Sequence, residues 1–466
     1  MDLALGRRNS RHVAIGILVI LGWAVAAHAE DAPDTPAAAQ AQDAPRAPAA
    51  TRSLADIPFQ LVLPRGHLLG DWLGSRPWLE DHGVYPSVTF VTDALGNPIG
   101  GKDPGGFKGA SNLGVDLVFD FGKLFGLPGG SFEISFSERF GSSLSRENIG
   151  NVFTVQQVFG GETFRLVNVA YKQELLNDRV ELRAGRIAAG DDFLVSPYNY
   201  VFVQNGFDGN PVSIFFNAPG MTAYPNATWG GLVKVRPIEQ LYVMAGVYNG
   251  DVSIRANKHH GADWSMDGPL FAIGEVGYQV NTLPGLGGGL VGNYKAGFWY
   301  DDHEYLDFTT VARNRPPDHA RGNWGLYVLF DQVLVRFGES GSNRGFGITG
   351  SALGSPDQSV SVMPVFFTAG VVARGVFASR PTDLIGLGVV HGRFSEDLKE
   401  SQRRARQSDP TVGIQQYETA LELTYRFRFL KDSVYFAPDL QYIIRPGGTG
   451  QIRDPFVVGF EAGINF

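Results

Sequence analysis

Alternate positions of the C-terminal segment are apolar. The apolar set is Phe456, Val458, Phe460, Ala462, Ile464 and Phe466. The intervening residues, small or polar apart from the first, are Val457, Gly459, Glu461, Gly463 and Asn465. Because successive strand side chains point to opposite faces, this pattern predicts a β-strand with one apolar face and one wet face. Such a strand at the end of a chain favours a membrane β-barrel, whose last strand closes against the first and faces lipid.

The same two-residue period recurs along most of the chain after Val84. Leu113 and Val115, for example, alternate with Gly114 and Asp116. The segments with this period lie near residues 113–121, 131–137, 163–173, 179–187, 227–236, 240–249, 269–280, 291–301, 323–337, 361–375, 384–394, 417–429, 433–445 and 455–466. Alternating segments of about ten residues between turns are typical of transmembrane barrels. With a few weakly patterned strands added, the sequence predicts an all-β fold, a transmembrane antiparallel β-barrel of about 16 strands with an aqueous lumen.

The connections between these segments are of two kinds. Short ones lie at residues 127–130, 176–178, 236–239, 283–285 and 430–432. Long ones lie at residues 141–162, 188–226, 250–268, 302–322, 338–360 and 395–416. Short turns that alternate with long loops are typical of barrels with periplasmic turns and extracellular loops.

The N-terminus has the pattern of a cleavable export signal. Arg7, Arg8 and Arg11 precede an apolar run, which ends in the small-residue site Ala27-His28-Ala29. The apolar run is shorter than the roughly 20 residues that a membrane anchor needs. We therefore predict a signal peptide at residues 1–29 and export from the cytoplasm.

Two further segments precede the barrel. Residues 30–67 are largely rich in Ala, Pro, Asp and Gln, which predicts a flexible linker. Residues 68–83 contain Leu69, Trp72 and Leu79 at helical spacing, which predicts a short periplasmic helical segment that is broken near Pro77. The barrel domain is then expected at residues 84–466.

Composition narrows the possible functions. Charged residues make up 18% of the chain, below the roughly 25% of soluble domains, and mean hydropathy is −0.06. The chain has no cysteine, which excludes a disulfide framework, a thiol nucleophile and a cysteine-ligated metal. A net charge of −8 argues against nucleic-acid binding. We expect no cofactor and no metal.

An ordered set of short motifs resembles one known family. They are Gly70-Asp-Trp-Leu-Gly-Ser-Arg76, Leu182-Arg-Ala-Gly-Arg186 leading into Asp192-Phe193, Tyr224-Pro225, Trp229-Gly230, Asp331-Gln332, Glu418-Thr-Ala-Leu-Glu-Leu-Thr-Tyr425 and Pro438-Asp-Leu-Gln-Tyr-Ile443. Together they resemble the carbohydrate-selective porins, the OprB family. The resemblance implies a 16-stranded porin in the outer membrane of a Gram-negative bacterium. It also implies passive diffusion of mono- or oligosaccharides into the periplasm, and no enzymatic activity.

The segment that follows Arg186 is the candidate constriction. Residues 188–226 are rich in aromatic side chains, and a loop of this length and composition is unlike an ordinary solvated loop. We expect it to fold inward and narrow the lumen, partly on the family resemblance. The alternatives are packing over the barrel mouth or against a neighbouring subunit of a homo-oligomer.

Seven residues are candidates for binding the solute at the constriction. They are Glu133, Arg183, Arg186, Asp192, Phe193, Trp229 and Lys234. Charged hydrogen-bonding groups suit sugar hydroxyls, and aromatic planes suit sugar C–H faces. The alternatives are a structural ion-pair ladder for the charged residues, a tie between loop and wall for Arg186 and Asp192, and a membrane-girdle position for Trp229.

Other readings of the chain stay open at this point. The first is a general or anion-selective outer-membrane porin without sugar specificity. A barrel enzyme and a soluble β-sandwich lectin are further alternatives, although no Ser, Asp and His arrangement supports the enzyme. The basic run Arg403-Arg404-Ala-Arg406 is a candidate contact for acidic lipopolysaccharide, or an ordinary solvated loop. Outer-membrane lipid is the expected surrounding of the apolar face.

Overall fold

The computed structural model describes residues 66–466 apart from 161–162, 208, 263, 281–288, 314–315, 317, 339–341 and 343. Sixteen antiparallel strands form one closed barrel in which each strand pairs with its neighbours in sequence and β1 pairs with β16. The fold prediction is confirmed. The strands are β1 (Val84–Ile99), β2 (Gly106–Asp120), β3 (Gly130–Gly141), β4 (Thr163–Leu175), β5 (Val180–Ile187), β6 (Thr228–Ile238), β7 (Leu241–Asn249), β8 (Leu270–Val280), β9 (Gly292–Leu306), β10 (His319–Arg336), β11 (Gly345–Gly354), β12 (Val365–Arg374), β13 (Leu384–Arg393), β14 (Tyr417–Phe429), β15 (Val434–Ile444) and β16 (Phe456–Asn465).

Five short α-helices accompany the strands within the described residues. They are α1 (Ser75–Asp81), α2 (Phe121–Phe125), α3 (Ile214–Asn217), α4 (Phe308–Ala312) and α5 (Glu396–Ser408). None of the described helices has the length and hydropathy needed to cross a membrane. Ser395 caps α5 by accepting hydrogen bonds from the backbone N–H groups of Asp397 and Leu398, so the predicted loop 395–416 is largely helical.

The two faces of the barrel wall follow the predicted alternation. In β16, Glu461 is buried while Val458 points outward and is 41% exposed. In β14, Glu422 is buried while Leu421 and Leu423 point outward. The outward side chains form an apolar belt that suits lipid, and the inward ones are largely polar or small.

Two strands, β1 and β11, are not among the segments that were predicted from alternating apolar and polar positions. The predicted loop 338–360 contains β11, so that prediction is wrong there. Four of the ten residues of β11 are glycine, and its apolar alternation is limited to Phe346, Ile348 and Ala352. The long strand β1 also lies in a stretch whose apolar positions are interrupted by Asp93 and Asn97.

The N-terminal segment lies at the end of the barrel that carries the short turns. His67 Nδ1 is 2.9 Å from the carbonyl oxygen of Phe466, and Leu68 N–H donates to the carbonyl of Asn465. The helix α1 runs through Pro77 without a break, contrary to the prediction, because proline in a first turn removes no intrahelical hydrogen bond. The predicted signal peptide and most of the predicted linker lie outside the described residues.

Candidate functional site: the barrel lumen

The connection between β5 and β6, residues 188–227 and here called the β5–β6 loop, lies inside the barrel. Most of its large apolar side chains are almost completely buried. They are Phe193, Leu194, Val195, Tyr200, Val201, Phe202, Val203, Phe207, Val212, Ile214 and Met221. All of these except Val195 and Tyr200 join inward residues of the wall in one hydrophobic cluster. Burial of these side chains is the driving force that holds the loop in the lumen.

Carboxylates of the wall fix the backbone of this loop. Glu422 on β14 accepts hydrogen bonds from Val203 N–H (2.6 Å) and Gln204 N–H (3.2 Å). Glu275 on β8 accepts from Leu194 N–H at 3.1 Å. Hydrogen bonds to charged groups are each worth about 1.5–3 kcal/mol. Because β8 and β14 lie on different sides of the barrel, these anchors stretch the loop across the lumen.

Glycines of β12 and β13 make room for the aromatic part of the loop. The Phe202 and Phe207 rings stack with centroids 4.1 Å apart. A Cβ atom on Gly388 would lie 2.4 Å from the Phe207 ring, and one on Gly386 would lie 3.0 Å from the Phe202 ring. The missing side chains therefore let the stacked rings reach the wall.

A second connection also enters the barrel. The β3–β4 loop, described at residues 142–160, contributes the buried side chains of Phe153 and Val155 to the same cluster. Glu418 on β14 accepts hydrogen bonds from the N–H groups of Val152 and Phe153, and also from Gly447 N–H. The sequence pattern predicted only a long loop here. Glu418, an acidic residue at an inward position of a predicted strand, was the signal that a loop binds to the wall at this point.

Arg183 is the centre of a charged cluster where the β5–β6 loop leaves the wall. Its guanidinium contacts the Glu133 carboxylate on β3 and lies 2.6 Å from Asp192 Oδ2 and 3.9 Å from Asp191 Oδ2 of the loop. Glu133, Arg183 and Asp192, three of the predicted constriction residues, therefore lie together. The arrangement ties the loop to the wall and also presents both signs of charge to the lumen.

The cluster borders the part of the lumen that the loops leave unfilled. The Glu133 and Asp192 side chains are 21% and 20% exposed although both face inward. Lys172 on β4 is also inward and is 36% exposed. By contrast, Glu422 on the far side of the barrel is 1% exposed. The open path through the lumen therefore lies beside β3 to β6.

Lys234 on β6 faces this path as well. Its register partner on β5 is Glu181, and its ammonium lies 4.8 Å from the centre of the Tyr242 ring. The path is thus lined by alternating acidic and basic groups rather than by one sign of charge. Such a lining offers both donors and acceptors to a neutral polyol.

The loop carboxylates of the cluster hold protons more tightly than ordinary ones. Burial raises the pKa of Asp191 to about 7, although the Arg183 guanidinium and the Asn168 amide oppose the shift. Burial also raises the pKa of Asp192, again against Arg183. The charge of the cluster therefore changes near neutral pH.

Arg186 and Trp229 lie away from the lumen. They are register partners on β5 and β6, and their side chains occupy the face opposite to Arg183. The Trp229 indole N–H donates to the carbonyl of Trp264 in the β7–β8 loop, and the Arg186 guanidinium lies 5.6 Å from the Trp264 ring. Because three positions separate Arg183 from Arg186, an odd number, the two must face opposite sides of a strand. Arg186 and Trp229 therefore do not face the pore, contrary to the prediction.

Phe193 lies inside the barrel but has no open surface. It is 0% exposed, and its ring packs edge-to-face on Tyr248 of β7 at 6.5 Å. This position supports the loop rather than contacting a solute.

Tyr224 is a lumen aromatic that the sequence analysis quoted only as part of a motif. Its hydroxyl lies 3.2 Å from Asn112 Nδ2 on β2, and its ring lies 5.4 Å from the Arg139 guanidinium. The residue is partly exposed. Burial raises the pKa of its hydroxyl to about 12, which keeps it neutral.

Comparison with known proteins agrees with this architecture. Residues 106–466 match the model of the carbohydrate-selective porin, OprB family. The chain is 28% identical over 427 residues to Porin B of Pseudomonas aeruginosa, covering 84% of this chain and 90% of that protein. It is 25% identical over 424 residues to the putative porin QuiX of Acinetobacter baylyi, covering 86% of this chain and 93% of that protein.

A solved structure shares the fold. The high-pH structure of Pseudomonas putida OprB superposes with a TM-score of 0.80 at 24% identity, covering 86% of this chain and 99% of that one. The low-pH structure of the same protein gives a TM-score of 0.54 at 19% identity, with 86% and 98% covered. With its motifs, its barrel and the family match over residues 106–466, this chain belongs to the carbohydrate-selective porin family, OprB, and is a sugar-selective porin of the Gram-negative outer membrane.

Proposed function

We propose that sugars cross this porin passively along the β3–β6 side of the lumen, past a constriction centred on Arg183. The observation that carries the proposal is the inward β5–β6 loop, which fills the far side of the barrel and leaves Glu133 and Asp192 partly exposed. A lumen narrowed in this way selects by size. The mixed charge of its lining then selects by hydrogen bonding.

The proposed binding groups are Glu133, Arg183, Asp192 and Lys234. Carboxylate oxygens accept hydrogen bonds from sugar hydroxyls, while the guanidinium and ammonium groups donate to hydroxyl oxygens. Because Arg183 is already paired with two carboxylates, a passing sugar replaces only part of its hydrogen bonding. Binding is therefore weak enough to allow release, as conduction requires.

Tyr224 is the proposed aromatic contact. Its partly exposed ring lies on the same side of the lumen as Asn112 and Arg139, within reach of a solute above the charged cluster. An aromatic face gives an apolar surface for sugar C–H groups. This residue takes the role that the sequence analysis considered for Trp229.

The family and the fold are those of a channel rather than an enzyme. We further propose that residues 1–29 are the export signal, that 30–67 form a linker, and that 68–83 form a periplasmic segment ahead of the barrel domain 84–466. The outward belt is proposed to contact outer-membrane lipid. A homo-oligomer would leave the pathway intact, because all of its lining comes from one chain.

Proteoliposome swelling with a panel of sugars tests the proposal. We expect the rank order of entry to depend on stereochemistry among isomers of equal size, and we expect the sugars that enter fastest to reduce single-channel ion current. Entry rates that follow size alone, with no sugar-dependent block, would instead identify a general porin. A strong preference for small anions over neutral sugars would identify an anion-selective one.

A further inference from the structure

A basic cavity lies on the outer face of the barrel, at the end that carries the long loops. Its volume is about 500 Å³, and it is formed by the last residues of β13, the first residue of β14 and the helix α5. The lining includes the cations Arg393, Lys399 and Arg403 but only one carboxylate, that of Glu396. The cavity therefore has an excess of positive charge.

The strand register separates this cavity from the lumen. His391 and Tyr417 line it, and each alternates with an inward residue, Val390 and Glu418 respectively, which the lumen loops bury. A solute on the transport path therefore does not meet the cavity. Its ligand has to arrive from the lipid or from the outer surface.

Two aromatic rings, those of His391 and Tyr417, line the cavity, and Phe367 continues their row along the wall. The rings of Phe367, His391 and Tyr417 follow one another across β12, β13 and β14, with centroids 5.1 Å and 5.5 Å apart. Below them, Leu387 and Leu421 point outward and are 57% and 41% exposed. An apolar wall, an aromatic step and a basic cavity thus follow one another along the outer face.

The cations are held in place before any ligand binds. Glu396 Oε1 lies 2.9 Å from Lys399 Nζ and 2.5 Å from the Arg393 guanidinium. Hydrogen bonds from these two groups lower the pKa of Glu396, so the carboxylate stays charged. The side chains of Arg393 and Arg403 remain about half exposed, at 58% and 51%. Arg403 Nη1 also lies 3.0 Å from Glu400 Oε2 of α5, and the remaining N–H groups of both guanidinium groups can donate to an anion.

We propose that this cavity binds a phosphate group of lipopolysaccharide from the outer leaflet. The ligand must be apolar where it meets Leu387 and Leu421 and anionic where it meets Arg393 and Arg403. Phosphorylated lipid A has that order, with acyl chains in the membrane and phosphates at its surface. Arginine pairs with phosphate in a bidentate geometry, and the aromatic step suits the membrane interface.

Lipid A binding to the full-length chain in detergent tests this site, with native mass spectrometry as the readout. In the double variant Arg393→Gln/Arg403→Gln, affinity is expected to fall about tenfold or more. The matched control is Arg404→Gln/Arg406→Gln, which removes the same amount of charge from residues that do not line the cavity. It is expected to change affinity less than about threefold. If both variants lost the same affinity for lipid A, binding would depend on the overall positive charge of the surface rather than on this cavity, and the proposal would be overturned.

The chemistry of the ligand is tested on the unmodified chain. Dephosphorylated lipid A is expected to bind about tenfold more weakly or worse, and equal binding would contradict the phosphate assignment. Inorganic phosphate at the same concentration is expected not to displace lipid A, and displacement would contradict a lipid ligand. The single variant Arg403→Gln, on the half-exposed side of α5, serves if the double variant does not fold. Sugar entry into proteoliposomes stays unchanged in every variant, since the cavity is outside the lumen.

Discussion

Replacing Gly388 by alanine tests how the β5–β6 loop is held in the lumen. The new Cβ atom would lie 2.4 Å from the Phe207 ring and 3.0 Å from the Phe202 ring, both of which are buried and stacked. The rings must therefore move away from the wall. Overpacking of this kind costs about 1–3 kcal/mol, which lowers the ratio of docked to displaced loop by about 5- to 150-fold.

Two measurements on purified protein follow this change. Thermal unfolding in detergent is expected to shift downward, and single-channel conductance is expected to rise or become noisy as the loop leaves the wall. Gly354→Ala is the matched control, because a Cβ atom there meets no atom within 4 Å. It should leave both measurements unchanged.

A double-mutant cycle separates the clash from other effects of the substitution. In a Phe207→Ala background the closest contact of the new methyl group, that with the Phe207 ring, is gone. Gly388→Ala should then cost about 1 kcal/mol or more less than in the native chain. The packing account would be refuted by an equal cost in both backgrounds, or by a Gly388→Ala protein as stable as the Gly354→Ala control.

Three further outcomes are expected. Arg183→Gln leaves the Glu133 and Asp192 carboxylates without their cation, so the reversal potential in a salt gradient should shift toward cation selectivity; an unchanged potential would exclude the cluster from the path. Because the pKa of Asp191 is about 7, its carboxylate is charged above that pH and neutral below it. The preference of the pore for cations should therefore fall as pH decreases from about 8 to about 6. Asp191→Asn should remove this pH dependence, and pH dependence that persists in the variant would assign it to another group. Glu418→Ala removes the acceptor of three backbone N–H groups, and should lower the free energy of unfolding in detergent by about 3 kcal/mol or more; a loss below about 0.5 kcal/mol would show that water replaces this anchor.

The two-residue alternation of apolar and polar positions was enough to predict the barrel, because each strand needs one apolar face toward the lipid. It failed at β11, where two glycines lie on each face of the strand and closure of the sheet, rather than the local pattern, defines the strand. The helix α5 was missed within a predicted loop, although Ser395 ahead of two acidic residues is a recognisable N-cap signal.

The lumen residues that lie on strands were predictable, because successive residues of a strand face opposite sides of the barrel wall, a rule called parity here. Parity places Arg183 inward once Leu182 is known to face lipid, and the same rule places Arg186 outward. The inward fold of the β5–β6 loop was predicted from its length and aromatic content and, in part, from the family resemblance. Which wall residues anchor it, such as Glu422 and Gly388, depends on contacts across the barrel that no local pattern contains.

The chain has no cysteine, so one introduced thiol tests the proposed path directly. Glu133→Cys places it beside Arg183, and Glu400→Cys, on the outer helix α5, is the control with a more exposed thiol outside the lumen. Sugar entry into proteoliposomes is measured before and after labelling with a bulky, water-soluble thiol reagent. The account predicts that complete labelling at position 133 stops sugar entry while labelling at position 400 leaves it unchanged. Undiminished entry through the fully labelled Glu133→Cys porin would contradict a path beside β3 to β6.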